Sequence, residues 1–141
     1  MLSSNEINHF RTFGFHIVRN FFSDDELELM TAEYQRRFMT SKRFTHPDEP
    51  PKCASWPNLD PETPFLAGLL EDPRINEIME QLFGHEFIGI SSNAGSFVHE
   101  THWHPDNADV HMLSIRLACY LQPLDAHNGA LRLIPGSHKN P

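Results

Sequence analysis

Apolar positions along the chain change period part-way. Ser3 and Glu6 form a possible capping box that opens a short helix ending near Gly14. Phe15 to Val18 then reads as a short strand. Ser23-Asp24-Asp25-Glu26 is a second capping box, and behind it Leu27, Met30, Tyr34 and Phe38 recur at close to helical spacing, which predicts a helix with one face packed in a core. Ser41 to Pro64 is rich in proline, with Asp, Asn and Ser among the rest, and predicts a long irregular loop of the kind that covers a site. Asp72, with Pro73 at the first helical position, predicts a helix to about Phe83 that Gly84 stops. From Glu86 the period becomes that of strands. Expected strands are Glu86–Ser91, Gly95–Trp103, Ser114–Gln122 and Ala130–Ile134, the last entered through Asn128-Gly129 and left through Pro135-Gly136. Helices followed by short strands suggest an α+β protein whose sheet is a jelly roll or similar barrel.

Length and composition narrow the reading. The 141 residues predict one domain, and 39% hydrophobic content suffices for a single core. A net charge of −8 argues against a general nucleic-acid binder, which needs basic surface to displace counterions. Cys53 and Cys119 are far apart and form no CxxC, so both read as free thiols in a reducing compartment. No basic, apolar leader opens the chain and no apolar run is long enough to span a bilayer, so the expected location is the cytoplasm, with no membrane partner. An open sheet edge would offer a route to oligomers.

The 10 histidines are an excess and direct attention to metal chemistry. In Glu100-Thr101-His102-Trp103-His104-Pro105-Asp106, alternate residues share a face of a strand. His104-x-Asp106 brings one imidazole and one carboxylate within reach of one ion. With one further histidine they would make the facial triad of non-haem iron(II) oxygenases, which leaves positions open for a co-substrate and oxygen. A lone HxD is a weak signal, since exposed His and Asp are ordinary. Pro105 argues that the strand ends here, at a position suited to a barrel mouth. On the third expected strand Ile115, Leu117, Cys119 and Leu121 form an apolar face, while Arg116 and Tyr120 on the other suit either a polar pocket or a half-solvated sheet. Asn93, Thr101, Arg116 and Tyr120 are the candidate pocket and co-substrate contacts.

Thr101-x-Trp103-His104-Pro105-Asp106, then Tyr120-Leu121-Gln122-Pro123-Leu124-Asp125, then Asn128-Gly129-Ala130-Leu131-Arg132-Leu133-Ile134-Pro135-Gly136-Ser137-His138-Lys139, resemble the phytanoyl-CoA dioxygenase family in order and spacing. The stretch from Phe13 to Leu27 resembles the family's opening strand and helix. The resemblance implies N-terminal helices on a double-stranded β-helix, an iron(II) site with His104 and Asp106 as its first two ligands, and 2-oxoglutarate as the co-substrate used to hydroxylate a small organic molecule. It also implies a third ligand, a histidine, and an arginine for the far carboxylate of 2-oxoglutarate, both well beyond Pro-Gly-Ser-His. The chain ends at Pro141 before either, so the expectation is a truncated barrel and a single incomplete domain over residues 1–141. Two rival readings stand beside this one. A cupin-like barrel would use His102, His104 and His138 on one metal, whereas the oxygenase reads His138 as a turn residue. A non-catalytic fragment would bind little iron. Hydrolase readings are weaker, because no GxSxG is present and neither cysteine has a nucleophile's surroundings.

Overall fold

The structure is a computed structural model, and it describes residues 1–40, 53–57, 59–84, 86–97, 102–107 and 112–139. These fall into two compact units. One comprises Met1 and residues 20–99, the other residues 2–19 and 100–141.

In the first unit, α2 (Asp24–Thr40) opens on the expected Ser23 box. The Glu26 carboxylate accepts from the Ser23 backbone N–H at 2.8 Å, and the Glu26 N–H donates to Ser23 Oγ at 3.3 Å. Met30 of the expected apolar face is buried, and Leu27, Tyr34 and Phe38 are half-buried. Helix α3 (Pro64–Gly68) follows, then a 3₁₀ turn at Leu69–Glu71, then α4 (Pro73–Phe83), capped by the Asp72 side chain on the Arg74 N–H and ended at Gly84. Among the described residues of this unit, Met30, Leu66, Ile75 and Ile78 are the buried apolar ones.

The segment before α3 is built onto α2. Arg37 Nε donates to Asp60 Oδ2 at 2.9 Å, Arg36 donates to the Glu62 carbonyl, and Asp60 Oδ1 accepts from the Glu62 N–H at 2.9 Å. That backbone bond first, and Arg37 second, hold the Asp60 carboxyl below its usual range. Residues 59–63 are thus irregular, as expected, but these bonds fasten them to α2. Residues 53–57 of the same expected loop form strand β1 (Cys53–Pro57), paired antiparallel with β2 (Asn93–Phe97), Cys53 opposite Phe97 and Pro57 opposite Asn93. The remainder of that expected loop, residues 41–52 and 58, lies outside the described residues.

Arg74 at the start of α4 binds two carboxylates. It donates to Glu26 of α2 at 2.6 Å and to Asp72, and its guanidinium lies 5.2 and 5.6 Å from the ring centres of Phe21 and Phe22. Mainly through Arg74, the Glu26 carboxyl is lowered from 4.5 to about 2. The folded state therefore holds its proton less tightly than the unfolded state does. Glu26 stabilises the fold fully above pH 4.5, and that contribution is lost as pH falls toward 2. Thermal midpoints of the wild type are expected to fall across this window, and Arg74→Met should flatten the fall. An equally steep fall in Arg74→Met would place the effect elsewhere.

In the second unit, α1 (Ser4–Phe13) has the expected capping box and ends at Gly14, whose φ is +82°. Asn128-Gly129 and Pro135-Gly136 are turns, as expected. Asp125 accepts from the His127 N–H at 2.7 Å, Asn128 Oδ1 accepts from the Asp125 N–H at 2.6 Å, and both Gly129 and Gly136 have positive φ. The strand expectations fare worse. Among the described residues Phe15–Val18, Glu86–Ser91, Ser114–Gln122 and Ala130–Ile134 carry no strand pairing; of the expected Gly95–Trp103 strand, residues 95–97 are paired within β2, and residues 98–101 lie outside the described residues. An alternating sequence marks which face should be buried, but a strand needs a neighbour for its N–H and C=O groups. Among the described residues no neighbour runs beside these stretches, and Leu117, Leu131, Leu133 and Ile134 are exposed. The structure is thus helical with little strand, consistent with α+β, and the expected jelly roll is not formed among the described residues. No helix among them is long and apolar enough to cross a membrane.

Candidate metal centre

Residues 102–107 are neither helix nor strand, and the chain bends at Asp106. His104 is exposed, and its Nδ1 lies 2.6 Å from the carbonyl oxygen of His102. A carbonyl only accepts, so Nδ1 carries the proton and donates. In the neutral ring the lone pair is then on Nε2, free to bind a cation, which is the usual way in which a histidine ligand's tautomer is fixed. Asp106 Oδ1 pairs with Arg116 Nη1 at 2.8 Å. The Arg132 guanidinium lies 5.3 Å from the ring centre of Trp103, and Asn107 Nδ2 donates to the Met112 carbonyl at 3.1 Å. An imidazole nitrogen and a carboxylate oxygen are donors that suit ferrous iron, so this pair fits two protein positions on such an ion. Among the described residues no group of three His, Cys, Asp or Glu side chains is arranged to hold a metal.

That finding removes the cupin-like trio, because His102, His104 and His138 are all described and do not come together. His138 has other partners. It sits in the 3₁₀ turn Ser137–Lys139, and its Nε2 lies 3.2 Å from the Arg11 carbonyl near the end of α1. Beside it the Gly136 N–H donates to the Phe13 carbonyl at 2.8 Å. The Pro-Gly-Ser-His turn thereby satisfies carbonyls that the last turn of a helix leaves without partners. The ring lies so close to Gly14 that a Cβ there would sit 2.3 Å from His138 Nδ1. Gly14→Ala combines a left-handed backbone with that clash and is expected to cost roughly 2 kcal/mol. In a His138→Ala background the same change should cost less, as a double-mutant cycle by denaturant unfolding would read. Equal costs in both backgrounds would rule out the contact.

Asn93 lies at the start of β2 in the first unit, and Thr101 lies outside the described residues. Tyr120 is about half exposed, and partial burial pushes its phenol up. Cys119 is free, and its thiol is likewise pushed up by desolvation, the opposite of an activated nucleophile. Arg132 and the pairing of Arg116 with Asp106 were not foreseen, since nothing local in the sequence joins them.

The family model described as Phytanoyl-CoA dioxygenase (PhyH) matches residues 10–141. The chain is also 31% identical over 154 residues to proteins named ectoine dioxygenase from Bordetella bronchiseptica and Bordetella parapertussis. Each alignment covers 98% of this chain and 50% of the relative, so the chain spans about half the length of the curated relatives it matches. No solved structure gives a significant match. On the breadth of the family match, the chain belongs to the phytanoyl-CoA dioxygenase family.

Proposed function

We propose that this chain supplies His104 and Asp106 as two protein ligands of ferrous iron in a dioxygenase that uses 2-oxoglutarate to hydroxylate a small organic substrate. The observation that carries the reading is the His104 ring, whose Nδ1 is committed to the His102 carbonyl and whose Nε2 is left to bind a cation. Iron, when bound, supplies oxygen activation. The protein's own residues orient the two donors and place the substrate beside them. Thr101 and Tyr120 are the proposed contacts to co-substrate or substrate. The relatives' name makes ectoine the first substrate to assay.

The test is an anaerobic titration of the purified chain with iron(II) and then 2-oxoglutarate, followed by visible absorption, with cobalt(II) as an independent metal probe. The expected result is a charge-transfer band that needs both additions. Absence of both the band and cobalt binding would overturn the reading for this chain and favour a non-catalytic role.

A further inference from the structure

We propose that Arg116 is a positioning residue for the metal ligand Asp106, holding Oδ1 so that Oδ2 faces the ion; the inference rests on the reading of His104 and Asp106 as ligands. Three contacts tie the ligand-bearing segment to later chain. Trp103 lies under the Arg132 guanidinium, Asp106 pairs with Arg116, and Asn107 donates to the Met112 carbonyl. They fall at both ends of the short run that contains His104 and Asp106. Within that run the His102 carbonyl fixes the imidazole. Each donor therefore has a partner on the atom that would face away from a metal: Nδ1 on one, Oδ1 on the other. Partners of this kind set the orientation of a ligand and are worth about 10–100-fold in metal affinity.

Fold stability does not account for the pair equally well. Asp106 and Arg116 side chains are 52% and 65% exposed. Ion pairs so open to water contribute little to stability, because solvent screens them and both side chains lose freedom. A contact that biases the orientation of a carboxylate can raise metal affinity without a matching gain in fold stability. It need only occupy one oxygen while the other is presented. A nearby cation also repels a metal ion, so the two roles predict opposite signs. If Arg116 positions Asp106, its removal weakens metal binding. If it only competes for the carboxylate, removal tightens binding.

The experiment has two readouts on the purified chain. Without metal, the side-chain nitrogen signals of Arg116 are recorded by NMR in wild type and Asp106→Asn, and the expected result is a shift and faster guanidinium rotation in the variant. Cobalt(II) affinity is then measured by calorimetry for wild type, Arg116→Met and Arg116→Lys. Arg116→Met is expected to bind about tenfold more weakly with an unchanged thermal midpoint, and Arg116→Lys to recover most of the loss, since one donor is enough for Oδ1. Unchanged Arg116 signals in Asp106→Asn would overturn the pairing. Equal or tighter cobalt binding by Arg116→Met would overturn the positioning role while leaving the metal reading intact. Absence of cobalt binding in every form would overturn both.

Discussion

His104→Ala and Asp106→Ala are each expected to abolish the iron(II)–2-oxoglutarate band, while His102→Ala leaves it in place. His104 would give its Nε2 lone pair and Asp106 its second oxygen. With either gone, one protein donor remains in this segment, and the loss should exceed the 10–100-fold that an outer partner is worth. His102 acts differently. Only its backbone carbonyl touches the His104 ring, at 2.6 Å, and an alanine keeps that carbonyl. The His102 side chain is exposed, and it does not join His104 and His138 in a metal-holding group. The measurement is the same anaerobic titration, repeated on three variants whose circular dichroism matches the wild type. Loss of the band in His102→Ala with retention in Asp106→Ala would invert the assignment and restore a histidine-only site.

What could be read from the chain beforehand was what depends on near neighbours. The Ser3/Glu6 and Ser23/Glu26 boxes and the Asp72 cap each close within three residues, so donor and acceptor lie on one short stretch of sequence. The turns at Gly129 and Gly136 are local for the same reason, since each needs a positive φ that glycine adopts without strain. Strands depend on a partner elsewhere. Alternation at Ile115 to Leu121 marks a face but names no neighbour, and β1 hid in a proline-rich run because Cys53–Pro57 becomes a strand only beside Asn93–Phe97. The site divides the same way. His104-x-Asp106 is a short spacing and was visible. Arg132 over Trp103 and His138 on the Arg11 carbonyl, the latter spanning 127 residues, belong to tertiary structure.

Glu33→Ala is expected to cost roughly 3–4 kcal/mol, the largest stability loss among these substitutions, because two hydrogen bonds to a buried charge each contribute about 1.5–3 kcal/mol. Glu33 sits on α2 only 7% exposed. Its carboxylate accepts from the Phe65 N–H at 3.0 Å and the Leu66 N–H at 2.9 Å. Those are donors that the start of α3 cannot satisfy itself. Pro64 has no N–H, Thr63 makes no side-chain cap, and the Ala67 N–H already reaches the Thr63 carbonyl at 2.9 Å. A side chain from another helix thus serves as the cap, and its negative charge also suits the positive end of the helix. Thr63 is wholly buried and Leu66 nearly so, which leaves water little access to replace the lost bonds. Glu33→Gln should cost less than Glu33→Ala, since its amide oxygen still serves one N–H while its NH₂ faces the other. Urea unfolding of the three proteins checks this, with midpoints falling in the order wild type, Glu33→Gln, Glu33→Ala at an unchanged slope. A stability for Glu33→Ala within about 0.5 kcal/mol of wild type would mean that the two amides find other partners, and α3 would then not depend on α2 for its start.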